Sequence, residues 1–174
     1  MIILLVHERV VVTPAKTGST SLHRSLTNLS GGRWMMDTEM GKHANWVPVG
    51  FQHFEISILV RNPYTRFQSL WGHRQKDCLE AGKDPGTIEE FAHEVVNDPI
   101  WFNGSISDIY KDCGWQRYWQ IEHIKQCLDR VNIHEWVPHI NRTVFAKQAL
   151  PQEIIDIIRP WAEPDCEAFN YELR

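Results

Sequence analysis

Two aliphatic runs constrain this chain most. Val10-Val-Val-Thr13 and Ile56-Ser-Ile-Leu-Val60 are rich in β-branched residues and are stopped by Pro14 and by Asn62-Pro63. Each is therefore predicted as a short strand, the second buried on both faces. Each is followed at once by a basic residue, Lys16 or Arg61, and then by a helical pattern. After Ser19, the residues Leu22, Leu26 and Leu29 fall three or four apart. After Pro63, a helix is predicted from Tyr64 to about Leu79. A strand, a basic turn and a helix, met twice, predict an α/β fold with a mainly parallel sheet. Ligands of open α/β sheets bind at the carboxyl ends of the strands, where Lys16 and Arg61 fall.

The rest of the chain fits this class. Ile2–Val6 is predicted as a first strand, and Ser30-Gly31-Gly32 as the end of the first helix. Residues 33–55 read as irregular. Thr87-Ile-Glu-Glu90 has the spacing of a capping box and predicts a helix to about Val96. Residues 97–116 read mostly as loop, Tyr118–Glu122 as a strand and Ile124–Val131 as a helix. Pro151-Gln152-Glu153 opens a last helix, and Asp165–Phe169 is expected as a separate short turn. No repeat or linker divides the 174 residues, so a single domain over residues 1–174 is expected. A chain of this length buries roughly 70% of its unfolded surface and needs no disulfide or metal to fold.

Composition narrows the function classes. With 43% hydrophobic and 23% charged residues, the chain is neither a disordered tail nor a coiled coil. A net charge of −4 argues against a nucleic-acid partner. The charge is uneven, however. Residues 1–83 hold ten Lys/Arg against six Asp/Glu, and residues 84–174 hold eight against sixteen. A basic first half suits an anionic ligand. Cys78, Cys113, Cys127 and Cys166 form no CxxC pair and no HExxH occurs, so no zinc site is expected. The apolar start Met1–Val6 is too short for a signal or a membrane span. The expectation is a cytoplasmic protein with reduced thiols and no membrane partner; the sequence leaves its oligomeric state open.

The segment from Val10 to Leu22, with Pro14-Ala-Lys-Thr-Gly-Ser-Thr-Ser21 at its centre, has the make-up of an anion cradle. Helix N-termini carry outward N–H groups and partial positive charge. Gly18 would let the backbone approach a phosphate. The hydroxyls of Thr17, Ser19 and Thr20 add donors, and Lys16 adds a full charge. The loop is not the GxxxxGK[ST] of triphosphate-binding proteins, because the lysine precedes the glycine. In the second segment, Arg61 closes the strand and Ser69 follows on the helix. Arginine suits a terminal phosphate because it donates two parallel hydrogen bonds.

Together the two segments resemble the sulfotransferases that use 3′-phosphoadenosine 5′-phosphosulfate (PAPS), closest to the carbohydrate-type branch. Pro14–Leu22 is similar to the 5′-phosphosulfate loop of that family, and Val60-Arg-Asn-Pro-Tyr-Thr-Arg-Phe-Gln-Ser69 to its 3′-phosphate element. Gly41-Lys-His-Ala44 resembles the Lys-His that precedes this element. Weaker echoes continue through Ile121–Ile124, Val137–Thr143 and Trp161–Asp165. Ala15 and Gln120 depart from the commoner residues of the family.

The resemblance implies a P-loop-like three-layer fold and a PAPS-dependent sulfotransferase without a metal. It implies that Lys16, Thr17, Gly18, Ser19, Thr20 and Ser21 hold the 5′ end, and that Arg61 and Ser69 hold the 3′-phosphate. Lys16 would act on the leaving group. His43 would be the base that takes the acceptor's proton, with His53, Glu39 and Asp37 as reserves. The acceptor would present a hydroxyl or an amine and is expected to be a carbohydrate. Trp46 and Trp101 are its expected aromatic contacts, whereas Arg66 and Arg74 read as a solvated helix face. The competing expectations are a non-catalytic nucleotide-binding module and a P-loop-like small-molecule kinase.

Overall fold

The computed structural model describes residues 1–26, 34–35, 43–99, 103–130, 132 and 149–174. These residues group into two compact units, each drawn from two stretches of chain: Met1–Arg61 with Tyr110–Asn141, and Asn62–Ile109 with Arg142–Arg174.

The first unit is built on a five-stranded sheet in the order β3-β1-β2-β4-β5. Its strands are β1 (Ile2–Leu4), β2 (Arg9–Val12), β3 (Trp34–Met35), β4 (Glu55–Val60) and β5 (Arg117–Gln120). The strands β2, β4 and β5 run parallel, with Val10 beside Ile56 and Leu59 beside Trp119. The strands β1 and β3 are antiparallel additions, so the architecture is mixed α/β with a parallel core.

The strand expected over Ile2–Val6 stops at Leu4. Leu5–His7 instead makes one 3₁₀ turn, closed by the Glu8 N–H on the Leu5 carbonyl at 3.2 Å with Glu8 in the left-handed region (φ 46°). That tight reversal makes β1 and β2 a hairpin, which is why they pair antiparallel.

One face of the sheet carries Ile2, Leu4, Val11, Leu59 and Trp119. Against it pack Leu22 and Leu26 of α1 (Ser19–Leu26) and Leu128 of α5 (Ile124–Asp129). The alternate residues Val10, Val12, Ile56, Ile58 and Val60 are buried too. Burial on both faces accounts for the continuous apolar runs that made the strands legible. The expected end of the first helix at Ser30–Gly32 lies outside the described residues.

The second unit is helical: α2 (Pro63–Glu80), α3 (Ile88–Asn97), the one-turn α4 (Ile106–Ile109) and α6 (Gln152–Phe169). The side chain of Asn62 accepts from the Tyr64 and Thr65 N–H groups, and Pro63 occupies the first turn. These are the residue types that start a helix. The capping box of α3 has both bonds, Glu90 N–H to Thr87 at 3.1 Å and Thr87 N–H to Glu90 at 2.8 Å.

The turn expected at Asp165–Phe169 is instead the end of a continuous α6 that contains Pro160 and Pro164. Two prolines favour a break. The apolar stripe Ile154, Ile155, Ile158, Trp161, Ala162, Cys166 keeps helical spacing across both, and packs with Tyr64, Phe67, Phe91 and Val95 into one core. Tertiary burial outweighs local propensity there.

Candidate functional site

The turn after β2 is the centre of the candidate site, and its backbone is unusual. Lys16 has φ +63° and Gly18 φ +85°. A lysine in the left-handed region costs roughly 1–2 kcal/mol. Such strain persists only where surrounding contacts hold it, and it concentrates at functional sites. Contacts within the turn and from β4 hold this one. Inside the turn, the Thr17 hydroxyl donates to the Pro14 carbonyl at 2.7 Å. From the end of β4, the Arg61 Nη1 donates to the Lys16 carbonyl at 3.2 Å. The two basic residues, 45 positions apart in sequence, therefore meet at one loop.

His43 meets the same loop. Its Nδ1 lies 2.7 Å from the Thr13 carbonyl. A carbonyl can only accept, so Nδ1 carries the proton and the neutral ring has its lone pair on Nε2. The backbone of His43 is pinned as well: the hydroxyl of Tyr110, which is 1% exposed, donates to the His43 carbonyl at 2.9 Å. His43 is thus held at both its ring and its backbone. Nothing in the sequence pointed to Tyr110 or to the Thr13 carbonyl, because both bonds are made by the fold.

The positions of the loop differ among themselves in burial. Lys16, Gly18 and Thr20 are half-buried, whereas Thr17, Ser19 and Ser21 are buried. Thr17 is 0% exposed and its hydroxyl proton is used on Pro14, so as placed it braces the turn. Glycine at position 18 also has a reason within the fold. A Cβ there would lie 2.9 Å from the Ile121 side chain, at a φ that L-residues avoid. The local backbone favours the glycine. Gly18→Ala is expected to destabilise the protein by about 1–3 kcal/mol, read as a lower urea midpoint with an unchanged slope.

Other expected residues fall elsewhere. Ser69 is half-buried on α2 in the second unit. His53 is exposed and stands edge-on to Phe54 at 4.6 Å. Asp37, Glu39, Lys42, Trp101 and Val137–Thr143 lie outside the described residues.

The solvated helix face expected at Arg66 and Arg74 is corrected by their surroundings. Arg66 is 1% exposed, donates to the Gly104 carbonyl at 2.8 Å and lies 5.5 Å from the centre of the Trp161 ring. Arg74 is half-buried, paired with Glu94 at 2.5 Å and bonded to the Pro85 carbonyl at 3.0 Å. Both hold the second unit together.

All four cysteines are free thiols. Burial pushes Cys113 and Cys166 up to about 11, so both stay protonated at neutral pH and are poor nucleophiles. Among the described residues, no helix is long and apolar enough to cross a membrane.

In the comparisons with family models, curated proteins and solved structures, the chain has no match.

Proposed function

We propose that this chain is a PAPS-dependent sulfotransferase of P-loop-like fold, which moves a sulfuryl group to a hydroxyl or amine of an acceptor, with a carbohydrate as the favoured class. One observation carries the reading. Lys16, Arg61 and His43, the first-choice charged or titratable residues that the resemblance singles out in the first unit, gather at one turn beyond the carboxyl ends of β2 and β4. Ser69 enters the proposal from the resemblance alone.

The residues suit a doubly phosphorylated nucleotide. Lys16, Gly18 and Thr20 are the half-buried positions of the loop, and the N-terminal end of a helix such as α1 favours an anion. Thr17, Ser19 and Ser21 are buried, and the Thr17 hydroxyl braces the loop. The nucleotide supplies the activated sulfuryl group. Lys16 stabilises negative charge as it develops on the leaving phosphate oxygen, where a cation lowers the barrier most. Arg61 both braces Lys16 and offers its guanidinium to phosphate. The Nε2 of His43 takes the proton that the acceptor loses.

Incubation with ³⁵S-labelled PAPS and a panel of sugars, polysaccharides and small amines tests this. Label on an acceptor is the expected result. Binding of the nucleotide without transfer to any of them would reduce the protein to a nucleotide-binding module.

A further inference from the structure

A cavity of about 270 Å³ opens in the first unit, and it lies away from the turn just described. It is lined by Trp46, Gln52, Ile56, Asp112, Cys113 and Gln116, among others. Ile56 stands near the start of β4 and Gln116 just before β5, so the cavity sits at the amino ends of these strands. Lys16 and Arg61 follow carboxyl ends. The cavity is thus no part of the proposed nucleotide site.

Part of its wall is tied to the sheet. Gln116 is tied twice to Ile56: the Ile56 N–H donates to the Gln116 Oε1 at 2.5 Å, and the Gln116 N–H donates to the Ile56 carbonyl at 2.9 Å. Tyr110 to His43 is a second tie, between the segments that lead into Asp112-Cys113 and into Trp46-Val47. Trp46 is 50% exposed at this cavity. A tryptophan half in water beside a hollow can stack its apolar face on a ligand ring while its indole N–H stays available to a polar partner.

The lining chemistry selects the ligand. Trp46 offers a flat apolar face, and Ile56 and the protonated Cys113 add apolar wall. With its Oε1 committed to Ile56, Gln116 has N–H donors to offer, while Asp112 has only acceptors and Gln52 has both. Mixed donors and acceptors around one aromatic face suit a ring with an apolar face and hydroxyls at its edge. They suit an organic cation poorly, since it has no use for donors. The volume lies just below the range of about 300–1,000 Å³ typical of drug-sized ligands, so there is room for one ring.

We infer that this cavity is a second binding site, for a single hydroxylated ring such as one sugar unit.

The test is a ¹H–¹⁵N titration of the full chain with N-acetylglucosamine, methyl glucoside and methyl galactoside, following the Gln116 side-chain amide in every variant and the Trp46 indole signal where it is present, with tetramethylammonium as the cation probe. A saturable shift with at least one sugar is expected, with Kd about 1–10 mM, weakened at least tenfold in Trp46→Ala and also weakened in Asp112→Asn. Binding is expected to persist when the protein is saturated with 3′-phosphoadenosine 5′-phosphate, which separates this site from the nucleotide site. It is also expected to persist if the protein proves to bind no nucleotide. The inference is overturned by the absence of any saturable shift, by sugar binding indifferent to both substitutions, by competition from the nucleotide, or by a response to tetramethylammonium alone.

Discussion

Lys16→Ala is expected to lower sulfuryl transfer by about 10²–10³-fold, the scale seen when one group that stabilises transition-state charge is removed. The loss should fall on turnover, because the charge Lys16 meets exists fully only in the transition state. The backbone supplies a control. Lys16 holds φ +63°, a conformation glycine adopts without strain. Relief of that strain opposes the extra entropy glycine brings to the unfolded chain, so Lys16→Gly should lie within about 1 kcal/mol of the wild type in stability. A variant as stable as the wild type and yet inactive would mean that the lysine is kept for chemistry and not for the fold. Full turnover in Lys16→Gly, measured alongside urea unfolding, would remove Lys16 from the mechanism.

Arg66→Ala is expected to have the largest effect on stability. Arg66 is 1% exposed and Asp165 is 0% exposed in the core of the second unit. The carboxylate of Asp165 accepts from the Ile106 N–H at 3.0 Å, the Ser107 N–H at 2.8 Å and the Ser107 hydroxyl at 3.0 Å, so it starts α4. Burial pushes Asp165 above the usual carboxylate range, against the pull of the Arg66 charge and of these hydrogen bonds. Without Arg66 the carboxylate is buried with no countercharge from it, a loss of about 3–5 kcal/mol. The Gly104 carbonyl loses its donor as well.

The sign of the pH dependence follows from the direction of the shift. A carboxyl whose folded pKa is raised contributes stability that is complete below its unfolded value, near 3.9, and is lost as pH rises through the folded value. Removing Arg66 raises the folded value further. The penalty of Arg66→Ala should therefore be larger at pH 7 than near pH 4, where Asp165 can hold a proton. Urea unfolding at both pH values measures this, with Arg66→Lys as the milder variant if alanine prevents folding. An equal penalty at both values would show that Arg66 acts through packing and its bond to Gly104 alone.

What the sequence made legible was local. The strands β2 and β4 were readable because burial on both faces leaves unbroken apolar runs. The starts of α2 and α3 were readable because Asn62-Pro63 and Thr87–Glu90 carry their own capping bonds. What it hid depends on partners far along the chain. Pro160 and Pro164 suggest a break, and only the core packed against α6 shows why the helix continues. Arg66 looks like any surface arginine until Gly104 and Trp161 surround it. Gly18 was nameable from its motif, whereas the Ile121 side chain beside it was not. At the candidate site, Lys16, Arg61 and His43 were nameable from motifs. The left-handed turn at Lys16, the Thr13 carbonyl on His43 and the Tyr110 tether were not, since each is a product of tertiary structure.

The central claim is that the turn carrying Lys16, with Arg61 braced against it, receives an adenosine nucleotide phosphorylated at both its 3′ and 5′ positions. Calorimetric titration of the wild-type chain with 3′-phosphoadenosine 5′-phosphate tests it most directly. The account predicts saturable binding of one nucleotide per chain in the micromolar range, about −8 kcal/mol, weakened when Arg61 is replaced by alanine. No heat of binding at millimolar nucleotide would contradict it.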